Sequence, residues 1–560
     1  MKITFKREIK EKDRIDTKKF IQLLLKNRNI KDEKEFLHPT HPAKITLSDF
    51  GLKKQIQKTL KILKEIKKTE GTVVVYTDYD ADGITGGAIV WETLHLLGFK
   101  AMPYVPHRKK EGYGFSKAGI DAVKKQFNPS LIISVDHGIT ARDKVSYAKK
   151  LGIPIIITDH HLKPERLPDE AEAIFHIPAL SGSGVGYFFA KQIFEEFKTS
   201  AKHPHILSEN FNSDYLSFAS IGTIADMVSL TGPSRSIAKY GLDTFQTTKR
   251  CGLLEIMKDA GINGRRITPY EVGFMIAPRI NAVGRLEHAI DSLRLLCTTK
   301  VELAHYLASR IGEKNRLRQD MVKVSVEEAR LRLKASTGKQ KIIILSSETW
   351  HEGIIGLIAS KLVEAFYRPA IIITKSEGFY KGSARSIPAL HMTNFLRELK
   401  DYLIDVGGHA QAAGFSINKE KLDAFVEKAQ KKAEKMLKNK DLEKVVTADA
   451  KIPLAKISLG LVKELENLQP FGIGNPQPTF YSETEVLYAK IISKNQDHLK
   501  IYLKDPNSNG FPIEFIAFSA AKEFYKLSRG QKINVVYSLY IDRWGGGEKL
   551  RGRIIHFQII

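Results

Sequence analysis

The chain is 560 residues long and poor in cysteine, with only Cys251 and Cys297, far apart. A disulfide framework is therefore excluded, and a reducing compartment is the natural setting. Long apolar runs are missing as well: no segment approaches the ~20 residues that a membrane span needs. The first residues, Met1-Lys2-Ile3-Thr4-Phe5-Lys6-Arg7, carry charge but no apolar stretch of the kind found in a signal peptide. A cytoplasmic protein without membrane contact is expected. Negative charge is the other shortage, since Asp and Glu total 63 against 88 for Lys and Arg, a net +25. Basic surface releases counterions when it binds phosphates, so a polyanionic partner is expected. Charge alone also fits a merely soluble, lysine-rich protein. The lysines between Lys53 and Lys68, for instance, have the spacing of the solvated face of an amphipathic helix. Arginines set among glycines carry more weight.

What is present is a recurrence in the first half of the chain. Asp78-Tyr79-Asp80-Ala81-Asp82-Gly83, Asp136-His137-Gly138, Asp159-His160-His161 and Ala225-Asp226-Met227 are short acidic or histidine-bearing segments. Three of them follow apolar, β-branched runs of strand length: Val73 to Tyr76, Leu131 to Val135 and Ile153 to Ile157. Helix-length segments lie between, so a parallel sheet is expected, with these side chains converging at the carboxyl ends of its strands. Any one segment could be a helix N-cap or a turn. Four together point to a metal site, because packed carboxylates repel one another unless cations neutralise them. Hard oxygen donors with one or two imidazoles suit Mn2+ or Mg2+ better than Zn2+, with manganese the first choice.

At 42% hydrophobic over this length, the chain can bury about three or four cores. Residues 1–50 read as a small helical cap and 51–300 as the α/β domain carrying the acidic segments, mostly helical from Phe188 to Leu293. Residues 301–338, rich in Glu, Arg, Leu and Lys, read as one long connecting helix. Residues 339–445 open a second α/β domain with strand Ile342 to Leu345, helix Gly353 to Phe366 and strand Ala370 to Thr374. Residues 446–560 turn to period-two alternation, as in His498 to Leu503, which predicts a small β-barrel. The barrel's length and its aromatic and basic content suit an OB-fold that tracks a single strand, but from these residues alone an ordinary small barrel with its aromatics in the core is the better reading. The glycine cluster Gly182-Ser183-Gly184-Val185-Gly186 reads as the start of a helix rather than a nucleotide loop, since no Gly-Lys-Ser/Thr ending follows. Trp350 with His351 reads as core.

Further segments join the acidic four: Val105-Pro106-His107-Arg108 with Gly112-Tyr113-Gly114, Arg279-Ile280-Asn281-Ala282-Val283-Gly284-Arg285, Gly382-Ser383-Ala384-Arg385-Ser386, Gly407-Gly408-His409-Ala410 and Pro470-Phe471-Gly472-Ile473-Gly474-Asn475-Pro476. In this order they resemble the DHH phosphoesterase superfamily, named for the signature that Asp159-His160-His161 forms here. Within it they are similar to the bacterial single-stranded-DNA exonucleases, over nearly the whole chain. The resemblance implies a DHH-type catalytic domain, a long connecting helix, a DHH-associated substrate-binding domain and a C-terminal OB domain. It also implies two divalent ions, Mn2+ or Mg2+, held by Asp80, Asp82, Asp136, His160 and Asp226, with Asp136 and Asp226 bridging. Asp136 and His161 become the catalytic candidates, His161 facing the phosphate and Asp159 orienting a histidine. One departure stands out: where several relatives carry histidine four residues before the first ligating Asp, this chain has Tyr76. Asp78 could compensate or could be a turn residue, and His137 is not counted as a ligand.

Guanidinium forks bind phosphate bidentately, which makes Arg108, Arg279 and Arg285 the candidate clamps near the metals; inter-domain salt bridging is the bland alternative. Ser383, Arg385, Gly408 and His409 resemble the substrate-binding loops of the second domain, expected to face the metals across a cleft. The implied activity is hydrolysis of single-stranded DNA to mononucleotides, 5'-to-3', in recombination and repair, by a monomer that meets single-strand-binding protein and a helicase. Other readings are a nano-RNase or cyclic-dinucleotide phosphodiesterase, a family II inorganic pyrophosphatase, and a non-catalytic DNA-binding replication scaffold.

Overall fold

A computed structural model describes residues 2–108, 110–201, 203–335, 340–508, 510–543 and 546–560. Met1, the end of the expected connecting helix at 336–338, and position 339, where the second α/β domain was expected to open, lie outside the described residues. The chain forms two compact units, Ile3–Gly312 with Thr447–Ile560, and Met1–Lys2 with Glu313–Val446.

The larger unit is built on a five-stranded sheet in the order Lys100–Tyr104, Thr72–Thr77, Leu131–Val135, Ile155–Asp159, Ala173–His176, every neighbouring pair parallel. Strand alternation divides its side chains between two layers. Val73, Val75 and Val135 join the core under helices Ala81–Leu96 and Gly182–Phe197, while Val74, Tyr76, Ile132 and Ile157 join the core on the other face. With both faces covered, the three central strands are fully buried, largely β-branched runs, whereas the edge strands Lys100–Tyr104 and Ala173–His176 alternate in burial. The third expected strand begins and ends two residues late, so that Asp159 is its last residue. A helical layer follows, including Asp214–Ala225, Gly232–Thr244 and Ala277–Leu286.

The C-terminal strands Phe480–Ile492, His498–Lys504, Ile513–Ala517, Lys549–Ile559 and Lys532–Asp542 pair in that order, and Phe480–Ile492 also pairs with Lys532–Asp542, closing a five-stranded OB-like barrel. The N-terminal region is not wholly helical. It begins with strand Lys2–Phe5, and helix Thr17–Asn27 places Phe20, Ile21, Leu24 and Leu25 in the barrel's core.

Arg235 is fully buried in this unit, with no acidic partner among the described residues. It donates from Nε to the Phe36 carbonyl (2.6 Å), from Nη1 to that of Pro470 (3.3 Å) and from Nη2 to those of Leu468 (3.1 Å) and Gln469 (2.8 Å). The Phe36 ring lies 3.8 Å below the guanidinium. Burial pushes its pKa down to about 10, so it stays charged at neutral pH. Arg235→Met would strand those carbonyls in the core, and a loss of ~3 kcal/mol in urea unfolding is expected. An unchanged midpoint would show that the guanidinium holds nothing together.

The smaller unit carries a mixed sheet in the order Leu403–Gly408, Ala412–Ile417, Tyr380–Arg385, Ala370–Lys375, Ile343–Ser346, with only the last pair parallel. Helices Ile355–Phe366 and Leu422–Met436 pack on it. A continuous helix, Val301–Ala335, joins the two units. No helix among the described residues is long and apolar enough to cross a membrane.

Candidate metal centre

Strand Thr72–Thr77 delivers Asp78, Tyr79 and Asp80 to the end of the sheet. Asp80 caps helix Ala81–Leu96, its Oδ1 accepting from the Asp82 and Gly83 amides at 3.0 Å each. Asp82 lies in the first turn, buried, and its carboxylate receives the first two amides of helix Gly182–Phe197: Gly182 N at 2.6 Å and Ser183 N at 2.8 Å. Anionic charge at a helix N-terminus is stabilised there by the unpaired amides. Strand Leu131–Val135 delivers Asp136, whose φ of 68° lies in the left-handed region and whose amide donates to Thr158 O at 3.0 Å. Asp226 ends helix Asp214–Ala225.

These side chains meet. Single ligand atoms from Asp136, His160 and His161 lie within 4.8 Å of one another, as do those of Asp82, His160 and Asp226, and those of Asp78, Asp80 and Asp136. His160 Nε2 stands 3.1 Å from Asp136 Oδ1, 3.5 Å from Asp226 Oδ2 and 3.8 Å from Asp82 Oδ2. All five expected ligands are thus brought together, with Asp78 added. His137 is not: its Nε2 bonds to Tyr76 O at 3.0 Å, its ring packs edge-on against Tyr76 and Phe115, and burial lowers its pKa to about 4. Tyr76 turns to the opposite face of the sheet, its hydroxyl donating to Gly114 O at 3.3 Å.

The group fits divalent cations on its own terms. Asp136 Oδ1, Asp78 Oδ1 and His160 Nε2 are buried without a hydrogen-bond partner. Burial, and then the neighbouring acids, push Asp78 and Asp136 well above the ordinary carboxylate range. Asp80 moves the same way, and Asp226 is pushed up to about 8 by burial, Asp82 and Asp80. Such crowding is relieved by cations, and oxygen donors with one or two imidazoles suit manganese or magnesium.

Asp159 faces the other way. Its Oδ1 accepts from His161 Nδ1 (2.8 Å) and from the His160 (2.7 Å) and His161 (3.0 Å) amides, and its Oδ2 accepts from Ile139 N (2.8 Å). Burial opposes the charged His161 ring, but the bond to Asp159 outweighs it and raises its pKa to about 9. The resulting imidazolium has its Nε2 3.0 Å from the Tyr113 hydroxyl, which in turn donates to Asp136 O at 3.1 Å. Tyr113 is a further site residue, beyond those the sequence motifs single out. The sequence carries a signal for it in Gly112-Tyr113-Gly114, two glycines flanking one hydroxyl-bearing side chain, and in the structure both glycines take positive φ.

The arginines divide. Arg108 lies over the Tyr79 ring at 5.2 Å and acts electrostatically on Asp78. Arg285 acts on Tyr79, and its helix packs on the same loop, with Asn281 Oδ1 accepting from Ala81 N at 2.6 Å. Arg279 is engaged elsewhere, donating from Nε to Asp259 Oδ2 (2.8 Å), from Nη1 to Met275 O (2.8 Å) and from Nη2 to Asp259 O (3.1 Å). Its guanidinium serves an intra-domain ion pair, the reading closest to the bland alternative. In the smaller unit, Arg385 Nη1 donates to Ser383 Oγ (3.2 Å), and Gly408 sits in the adjacent hairpin, which pairs through Ala412 and Gly414 with the strand carrying both. His409 N closes that hairpin on Ala412 O at 2.7 Å.

Gly182 does more than start a helix, because a Cβ there would overlap Asp136 Cβ and Oδ1. Gly182→Ala is expected to weaken Mn2+ binding ~10–100-fold, the usual cost of disturbing a ligand's support, with circular dichroism unchanged. Titration calorimetry checks it, and equal affinity would mean that the helix start shifts without moving Asp136.

This fold and site define a class. Residues 72–223 match the DHH family, N-terminal domain, residues 339–435 the DHHA1 domain, and residues 448–556 the RecJ OB domain. The chain is 30% identical over 523 residues to the single-stranded-DNA-specific exonuclease RecJ of Haemophilus influenzae, covering 89% of each. It is 34% identical over 497 residues to that of Bacillus subtilis, covering 87% of this chain and 61% of the relative's length. The crystal structure of RecJ in complex with Mn2+ from Thermus thermophilus superposes with a TM-score of 0.80 at 25% identity, covering all of this chain and 79% of that one. The chain belongs to the RecJ family.

Proposed function

We propose that this chain is a metal-dependent exonuclease that hydrolyses single-stranded DNA to mononucleotides, 5'-to-3', in recombination and repair. One observation carries the chemistry: Asp136 belongs at once to the group with Asp78 and Asp80 and to the group with His160 and His161, as a bridging carboxylate must. Asp80, Asp82, Asp136, His160 and Asp226 would hold two divalent cations, with Asp78 standing in where relatives have a histidine in place of Tyr76. When bound, the ions supply an activated water and charge neutralisation for in-line displacement at phosphorus.

The chain's own groups then have separate tasks. Asp159 fixes the ring of His161, whose Nε2–H points a positive donor at a non-bridging phosphate oxygen. Tyr113 accepts that hydrogen bond until substrate replaces it. Arg108 and Arg285 steady the phosphates beside Asp78 to Asp80, and Ser383, Arg385, Gly408 and His409 hold the terminal nucleotide. Against burial, Asp159 holds His161 in its charged form above the ordinary imidazole range, and cations on Asp82 and Asp226 lower that limit, so activity should fall on the alkaline side as the imidazolium is lost. His161→Gln should flatten that limb and lower kcat ~100–1000-fold; a limb that persists in the variant would remove His161 from this role.

The match to the RecJ OB domain over 448–556 favours an extended strand over a dinucleotide as substrate. On this reading the chain works as a cytoplasmic monomer, and single-strand-binding protein and a helicase are its expected partners on the strand; its two free thiols accord with a reducing compartment. End-labelled single-stranded and duplex DNA and RNA, incubated with Mn2+ or Mg2+, test the reading. Mononucleotides released from single-stranded DNA are expected. A preference for RNA or dinucleotides would overturn it.

A further inference from the structure

A cavity of about 1110 Å³ opens in the larger unit between the helical layer and the C-terminal barrel. Its mouth carries four exposed apolar side chains: Met227 (67%), Tyr270 (56%), Phe274 (69%) and Ile473 (53%). Clustered exposure of this kind marks a surface that something covers. Tyr270 and Phe274 stand one turn apart, their rings stacked with centroids 5.0 Å apart and planes 29° from parallel. Phe274 sits in a π-helical stretch, Val272–Ile276, a local widening that is frequent at functional sites. Met227 has a φ of 56°, an uncommon conformation for a long side chain, and it turns outward directly after the metal-site residue Asp226.

The charge around this mouth chooses its occupant. Five cationic side chains line the cavity against two acids, Asp243 and Glu466, but Arg543 is paired with Glu466 at 2.8 and 2.7 Å and with Glu548 at 3.2 Å, Lys463 with Glu548 at 2.6 Å, and Lys239 donates to the Leu37 carbonyl at 2.7 Å. Arg266 and Arg553 are exposed on the lining without an acidic partner among the described residues. Arg553 also lies 4.7 Å over the Phe518 ring. Flat rings that share a cavity lining with guanidinium groups lacking an acidic partner among the described residues suit a single nucleic-acid strand, bases on the rings and phosphates on the arginines.

We infer that Tyr270 and Phe274 form a base-stacking platform for the uncut part of the strand, beside the metal centre, and that the platform contributes to the demand for an unpaired strand. Both faces of a base inside a duplex are covered by its neighbours, so only a freed base can lie on these rings. The inference rests on the proposed exonuclease reading.

The test uses the full chain in chelator, so that the strand is not cut, with a single strand of about 20 nucleotides, longer than the footprint of one OB-fold, carrying 2-aminopurine at successive positions. The wild type should quench 2-aminopurine at one or two positions. Tyr270→Ala with Phe274→Ala should abolish that quenching and raise Kd roughly tenfold or more, as loss of base stacking does. Tyr270→Phe with Phe274→Tyr, which keeps both rings, should retain quenching and affinity. A wild type that binds no single strand would overturn the exonuclease reading itself. A wild type that binds, with unchanged Kd and quenching in the double alanine variant, would overturn only the platform and assign the apolar mouth to a protein partner. Equal loss in the ring-retaining variant would also overturn it, showing a structural effect.

Discussion

Replacing Asp136 by asparagine should leave a folded protein that still binds single-stranded DNA and cleaves it at least ~1000-fold more slowly, a loss of several kcal/mol of transition-state stabilisation. Asparagine is the informative choice because it keeps the shape of the side chain and tolerates the left-handed backbone that this position adopts, φ 68°, better than alanine does. What it removes is charge. Asp136 is 2% exposed, its Oδ1 lacks a hydrogen-bond donor, and the residue takes part in two of the three ligand groups. An amide there cannot neutralise two cations at once, so Mn2+ uptake should fall from two ions per chain while the melting temperature in chelator is unchanged or higher. Release of end label and metal titration check both halves. Cleavage at the wild-type rate would take Asp136 out of the mechanism.

Removing the metal should abolish cleavage and make the protein's stability depend on pH in a defined direction. Asp226 has its pKa raised from 3.8 to about 8, so the native state binds a proton that the unfolded state releases. Stability contributed in this way is present at low pH and is lost as pH climbs from about 4 to about 8. Asp78, Asp80 and Asp136 shift in the same direction. His161, raised from 6.5 to about 9, loses its contribution between those values. His137, His160, His41 and His288 are shifted down and oppose this trend only in the lowest part of that range, where the unfolded rings, with an ordinary pKa of 6.5, lose their remaining protons. The chelated protein should therefore melt progressively lower from pH 6.5 to 8. Each manganese ion bound at ~100 times its Kd should add about 2.7 kcal/mol, and at a fixed manganese concentration the total gain should be larger at pH 8 than at 6.5 because fewer protons must leave. A melting temperature that rises with pH in chelator would mean that the acids are not crowded as described.

The parts of this site that were legible in the sequence are those set by local rules. A β-branched run followed by Asp announces a strand end whether the run precedes Asp80 or Asp136, and parallel order carries such ends to one edge. Asp78 stayed ambiguous because a turn and a ligand use the same residue, and only the packing of Asp80 and Asp136 around it decides. Arg279 is a different case. Its neighbourhood of small residues suits a phosphate clamp, yet its partner is Asp259, twenty residues back on another helix. Gly182 was rightly placed at the start of a helix, but the reason for glycine there is Asp136, far away in sequence. The N-terminal helix likewise looked like a cap of its own, whereas Phe20 and Leu24 complete the core of a barrel more than 400 residues later. Contacts of that range leave no periodic mark.

The proposed catalytic site is a binuclear cation centre assembled from side chains that start far apart. Anomalous diffraction from a crystal grown with manganese tests it most directly. Two peaks are expected among Asp80, Asp82, Asp136, His160 and Asp226, with Asp136 touching both. Peaks elsewhere, or none in that pocket, would contradict it.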